Sequence, residues 1–196
     1  MKKERKKLDV VFILDKSGSM GGSEDHTISS FNEYLEREKK NHFDTFITTI
    51  LFSDSYHVLY QDKNVKEVSP LTREEYYVGG CTALYDALGN AIHSKEHSKK
   101  ALFVIITDGY ENASKEYSKD KIRKMIKSHS NFEFVYIGAD IDSYATGGEL
   151  GIKRDNIANY TKSGEGTSKL FRAVGNFECA MMEESCTSAS WKEELE

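Results

Sequence analysis

One proline, one tryptophan and three cysteines among 196 residues leave this chain few of the devices that mark special protein classes. The single Pro70, with no Ser/Gly tract, leaves no linker between domains. Cys81, Cys179 and Cys186 are odd in number and lack framework spacing, which argues against a disulfide scaffold and for a reducing, cytoplasmic setting. No apolar run approaches the ~20 residues of a membrane span. The basic start MKKERKK has the look of a secretory n-region. It is followed by LDVVFILD, a short apolar stretch that carries Asp9, closes on Asp15 and has no small-residue cleavage site. That stretch reads as a strand. Basic excess is missing too: 27 Lys and Arg against 32 Asp and Glu give a net charge of −5. Nucleic acid is therefore a poor main partner, because phosphate binding needs a concentrated basic field. No GxxxxGK[ST], GxGxxG or GxSxG motif is present.

What the chain does have is alternation. With 38% apolar and 30% charged residues it suits one globular domain. Strands are expected at 8–14, 45–53, 56–60, 101–107, 132–139 and, weakly, 156–160, several of them near-continuous apolar runs of the kind buried on both faces of a parallel sheet. Helices are expected at 23–40, 82–97, 115–129, around Gly147–Gly148, and at 166–184, with the stretch up to Gly80 polar and irregular. The order predicts an α/β fold: a Rossmann-like three-layer sandwich on a mostly parallel six-stranded sheet with one antiparallel edge strand. A domain at 8–184 then stands between a basic extension, 1–7, and an acidic tail, 185–196, which holds Glu193, Glu194 and Glu196.

Open α/β sheets bind ligands beyond the carboxyl ends of their strands, where strand order reverses. Three loops suit that place: D15-K-S-G-S-M20 after the first strand, G79-G-C-T82 before the second large helix, and T107-D108-G109 after the central strand. Asp15 and Asp108 offer two carboxylates and Ser17, Ser19 and Thr82 three hydroxyls, with glycines for tight turns. Such hard oxygen donors, without His or Cys, select Mg²⁺, Mn²⁺ or Ca²⁺ over zinc. Asp15, Ser17 and Ser19 alternate along their loop, so their side chains can point at one centre. Each piece alone also fits an ordinary turn or helix cap. As a set they do not.

These segments, DKSGS, GGCT before ALYDAL, and TDG after a strand, resemble the metal-ion-dependent adhesion site (MIDAS) of the von Willebrand factor type A family, over roughly residues 8–183. The resemblance implies that Ser17, Ser19 and Thr82 place hydroxyl oxygens on the metal. It implies that Asp15 and Asp108 bind it directly or through water, and that a Glu or Asp of a protein partner fills a remaining position. Met20-Gly21-Gly22 stands where integrin β-type relatives carry further acids, so no adjacent metal site is expected. The chain looks most like short intracellular microbial members. That likeness implies a non-enzymatic, monomeric adaptor in a multi-protein assembly, including one built around an ATPase, with neither membrane nor nucleic acid as partner. In some relatives partner binding shifts the C-terminal helix, and the acidic tail is a candidate for a neighbouring molecule's metal.

Other features weigh less. The lysine-rich helix after 115 is interrupted by Glu116 and Asp120 and reads as a solvated face. His93 and His97 read as exposed, and Cys81 has no base nearby. The enzymatic alternative is a metal-dependent hydrolase or phosphatase with Asp15 as nucleophile; Ser17 stands where such an enzyme needs its second acid.

Overall fold

Eight of the nine residues of β1 (Lys7–Asp15) are buried, as a strand must be when helices cover both faces of its sheet. Val10, Phe12 and Leu14 point into one core and Val11 and Ile13 into the other, the period-2 alternation of a strand. In this computed structural model, which describes residues 6–183 and 189–195, β1 is joined by β2 (Asp44–Phe52), β3 (Tyr56–Asn64), β4 (Ala101–Thr107), β5 (Phe132–Gly138) and β6 (Ile157–Asn159). The six strands lie in the order β3-β2-β1-β4-β5-β6. All pairings are parallel except β2 with β3, so the antiparallel edge strand sits where expected.

Helices α1 (Glu24–Glu38) and α5 (Gly164–Glu183) cover the first face. Phe31 and Tyr34 from α1 and Phe171 from α5 close around Phe12, with ring centroids 5.2 Å apart for Phe12–Phe31. The second face is covered by α2 (Leu84–His93) and α3 (Lys119–Ser128), whose Leu84, Leu88 and Ile122 meet Phe103 and Ile105, and it includes residues beside α4 (Ser143–Glu149). From β1 the chain crosses to β2 on one side, and the sheet then continues through β4 on the other. The reversal falls between β1 and β4, and the crevice beyond their carboxyl ends is the binding position of this fold.

Several elements differ from expectation in extent. Strand β3 continues to Asn64, past a register irregularity in its ladder with β2; there Asp62 takes a positive φ of 49° and its amide donates to Thr48 Oγ1 at 3.1 Å. The polar stretch before Gly80 is irregular, yet it buries Val65, Val68, Leu71 and Tyr76. Asn32 fixes it by accepting from the Leu71 amide at 2.7 Å and donating to its carbonyl at 2.9 Å. Helix α3 starts at Lys119, not 115, because the Asp86 carboxylate accepts from the amides of Lys115, Glu116 and Tyr117 at 2.8, 2.9 and 2.9 Å and holds them as a loop. Helix α2 stops at His93, short of 97, and turns cover the remainder.

Residues 189–195 pack back on the domain. Trp191 is buried edge-on against Phe177 at 5.5 Å, and its Nε1 donates to the Asp155 carbonyl at 2.8 Å. Lys192 Nζ donates to the Ile157 carbonyl at 2.8 Å, and Glu194 pairs with Arg172 at 3.1 Å. Cys186 and Glu196 lie outside the described residues. Among the described residues no helix is long and apolar enough to cross a membrane.

Candidate metal centre

Asp15 ends β1 with no solvent exposure, and both of its carboxylate oxygens are engaged. Oδ1 accepts from the Ser17 amide at 2.7 Å and Oδ2 from Thr107 Oγ1 at 2.6 Å. Burial pushes the Asp15 carboxyl above the usual aspartate range; the bonds from Thr107 and Ser17 pull it back, and the charge of Asp108 adds to the upward push. Its carbonyl accepts from Tyr76 Oη at 2.6 Å, so the buried tyrosine of the irregular stretch braces the end of β1.

Beyond Asp15 the loop makes a short 3₁₀ turn at Gly18–Met20. The turn sets Ser17 Oγ 3.1 Å from Ser19 Oγ, and Ser19 Oγ donates to Asp108 Oδ1 at 2.5 Å. Backbone bonds join this loop to the one before α2: Gly18 N to Gly80 O at 3.0 Å, and Gly79 N to Lys16 O at 2.8 Å. The Gly80 backbone has φ +82°, and a Cβ there would run into the carboxylate of Asp54, which accepts from the Cys81 amide at 3.0 Å. Cys81 itself is exposed, and its thiol is pushed up by the hydrogen bond with Asp54, the opposite of activation.

The third loop meets the other two at Gly109. A Cβ there would lie 2.9 Å from Thr82 Oγ1 and 3.3 Å from Ser19 Oγ, so both hydroxyls crowd one point that only glycine leaves clear. Thr82 is clamped on its backbone, its amide donating to Asn112 Oδ1 at 2.9 Å while its carbonyl accepts from the Asn112 amide at 3.0 Å. The structure thus gathers Asp15, Ser17, Ser19, Thr82 and Asp108 from three loops into the crevice beyond β1 and β4. Among the described residues no group of three or more His, Cys, Asp and Glu is arranged to hold a metal. A cation here would rest on hydroxyl oxygens as much as on acids. That donor chemistry, hard and anionic but with few charges, fits a divalent ion.

Several neighbours of the site escaped the sequence. Lys162, from the loop before α5, donates to Asp108 Oδ2 at 2.8 Å and pairs with Asp140 at 2.8 Å. Nothing in YTKSGEG or GADID signals that meeting. Thr107 stood inside the TDG segment, and only the fold shows it bonding Asp15. Asn112 has no local signal. Two exposed tyrosines stand on the same loops: Tyr77, whose ring lies 3.7 Å from Lys16 Nζ, and Tyr110, next to Gly109.

Comparison with known proteins agrees with this architecture. A family model described as "VWA domain containing CoxE-like protein" matches residues 1–137. No curated protein matches the chain. Among solved structures, proximal thread matrix protein 1 from the mussel byssus, with a zinc-occupied MIDAS motif, is 19% identical with a TM-score of 0.65, over 89% of this chain and 46% of that one. A von Willebrand factor type A protein from Catenulispora acidiphila is 15% identical with a TM-score of 0.60, over 88% and 42%. The ArnB paralog VWA2 from Sulfolobus acidocaldarius is 20% identical with a TM-score of 0.59, over 86% and 45%. The chain spans less than half the length of each of these three. Matched over well more than half of its residues, the chain belongs to the family of VWA domain containing CoxE-like proteins, and its fold is that of a von Willebrand factor type A domain.

Proposed function

We propose that this domain is a divalent-metal-dependent protein-binding module that takes up a Glu or Asp side chain of a partner. The observation that carries the reading is the convergence of Asp15, Ser17, Ser19, Thr82 and Asp108 from three loops, with Ser19 Oγ 2.5 Å from Asp108 Oδ1 and Thr82 beside Gly109. These five residues would hold the ion, Mg²⁺ by expectation, with Mn²⁺ or Ca²⁺ as substitutes. When bound, the ion would supply an electrophile whose charge stays open on the solvent side where the acids reach it through water, so an incoming carboxylate gains a strong charge-assisted contact. The zinc-occupied motif of the mussel protein supports a divalent ion at this place in the fold.

The protein's own groups do the positioning. Ser17 N–H and Thr107 Oγ–H fix both oxygens of Asp15, and Asn112 sets the backbone of Thr82. Tyr77 and Tyr110 present exposed rings on the same loops, the residue type that anchors protein interfaces. The further expectations fit this role: a monomeric, cytoplasmic adaptor whose partner belongs to an assembly, with an ATPase-containing one as the candidate. Hydrolysis with Asp15 as nucleophile is disfavoured, since both of its oxygens are bound and the side chain is buried.

The test is capture from lysate of the source organism by wild type in Mg²⁺, by wild type in EDTA, and by Asp108→Ala in Mg²⁺. A protein retained in the first case alone is the expected result. Equal retention in all three excludes the metal as docking point.

A further inference from the structure

Asp108 spends one oxygen on Ser19 and the other on Lys162. The lysine comes from 54 positions further along the chain, and its Nζ also lies 2.8 Å from Asp140 and donates to the Ser19 carbonyl at 3.3 Å. It is a quarter exposed, whereas the Asp108 side chain has no exposure. An ammonium therefore sits at the mouth of the crevice, on the carboxylate that a metal ion needs.

We propose that Lys162 is a tethered rival to the divalent cation: ammonium and metal claim the same carboxylate of Asp108, and Lys162 sets how tightly the site takes metal. The inference rests on the metal-binding reading above. Two effects act in one direction. Lys162 draws on the negative charge of the carboxylate that the metal would use, and its positive charge opposes a second cation a few ångströms away. Asp140 gives the displaced ammonium a place to stay. Rotation of the flexible stem toward Asp140 frees Asp108 without exposing a buried charge, because Asp140 is well exposed. The consequence is a site that loads only where the divalent ion is abundant.

A purely structural lysine, one that only neutralises Asp108 and ties down the loop before α5, makes a different prediction. Its removal would leave metal affinity unchanged or weaken it by loosening the site. The experiment is calorimetric titration of Mn²⁺ and Mg²⁺ into the full chain as wild type, Lys162→Met, Lys162→Gln and Asp15→Ala, with circular dichroism to confirm the fold of each. Both Lys162 variants are expected to bind metal about tenfold more tightly than wild type. Their melting temperatures are expected to fall in chelator and return to the wild-type value in saturating metal. Normal wild-type binding with unchanged or weaker affinity in the two variants overturns the rivalry and leaves the metal site standing. No binding by any of the four proteins overturns the metal site itself, and this inference with it.

Discussion

Strand β1 carries a buried aspartate near each end, and the two live in opposite company. Asp9, at the amino end, accepts from Ser98 Oγ at 2.8 Å and pairs with Lys7 at 3.4 Å. It borders a cavity of about 740 Å³ that Lys6, Lys7, Lys99 and Lys100 also line. Two of these lysines are already at work: Lys6 and Lys100 donate to the carbonyls of Met182 and Met181 at 2.8 and 2.9 Å, where cations suit the carboxyl end of α5. Asp15, at the other end, has a second acid for a neighbour, hydroxyls in place of cations, and glycines where a Cβ would intrude. An aspartate set beside a lysine and a serine has its charge matched inside the fold, even with Oδ1 making no hydrogen bond. One set beside another acid, with cleared space in front, is kept for something that arrives from outside.

The sharpest way to break this comparison is to exchange the roles of the two residues. Asp15→Ala or Asp108→Ala should weaken Mg²⁺ or Mn²⁺ binding at least about a hundredfold by calorimetry while the circular dichroism spectrum is kept. Asp9→Ala should leave metal affinity unchanged. It should instead cost about 2 kcal/mol of stability in urea unfolding, since Ser98 and Lys7 lose their buried acceptor. Loss of metal binding in Asp9→Ala would erase the distinction.

A smaller effect probes the cleared space. Gly109→Ala places a methyl 2.9 Å from Thr82 Oγ1 and 3.3 Å from Ser19 Oγ, so those hydroxyls must part. Metal affinity should drop about tenfold, with a stability loss of about 1 kcal/mol. Unaltered affinity would mean that Thr82 and Ser19 do not act on one ion.

The smallest effect lies toward the amino end, between α1 and α5. There Glu178 accepts from Tyr34 Oη at 2.5 Å and faces Glu38, which accepts from Asn41 at 2.6 Å. Burial first, then the charge of Glu38, pushes the Glu178 carboxyl well above the usual glutamate range, and burial raises the Glu38 carboxyl as well. A carboxyl raised by folding stabilises fully below the ordinary glutamate range and loses that contribution as pH climbs through its raised value. Glu178→Gln, which stays neutral, should therefore gain in melting temperature over wild type as pH rises from about 5 to about 9. A constant difference across that range would show that the pair does not titrate.

How much of this was legible beforehand depended on distance along the chain. ALFVIIT declares a strand because burial on both faces demands an unbroken apolar run, and DKSGS and TDG declare themselves because each crowds its polar groups into a few positions. Lys162 and Asp140 did not, because their meaning lies in a contact with Asp108 that only the assembled sheet creates. Asp86 is similar: its hold on the amides of residues 115–117 reaches across about 30 positions and cancels the first turn of a helix that periodicity favours. Tyr76 and Leu71 join one core from irregular backbone, with neither the period of a strand nor that of a helix to announce them.

The docking of Trp191 and Lys192 has a consequence for how copies of this domain behave together. Strand β6 has only three residues and β5 on one side of it; side chains of the returning segment bond the carbonyls of Asp155 and Ile157 there. A bare strand margin is a template on which another molecule can add its own strand. Here Trp191 and Lys192 cover part of that margin, so a version cut before Trp191 would present an adhesive border and should be the form that clumps.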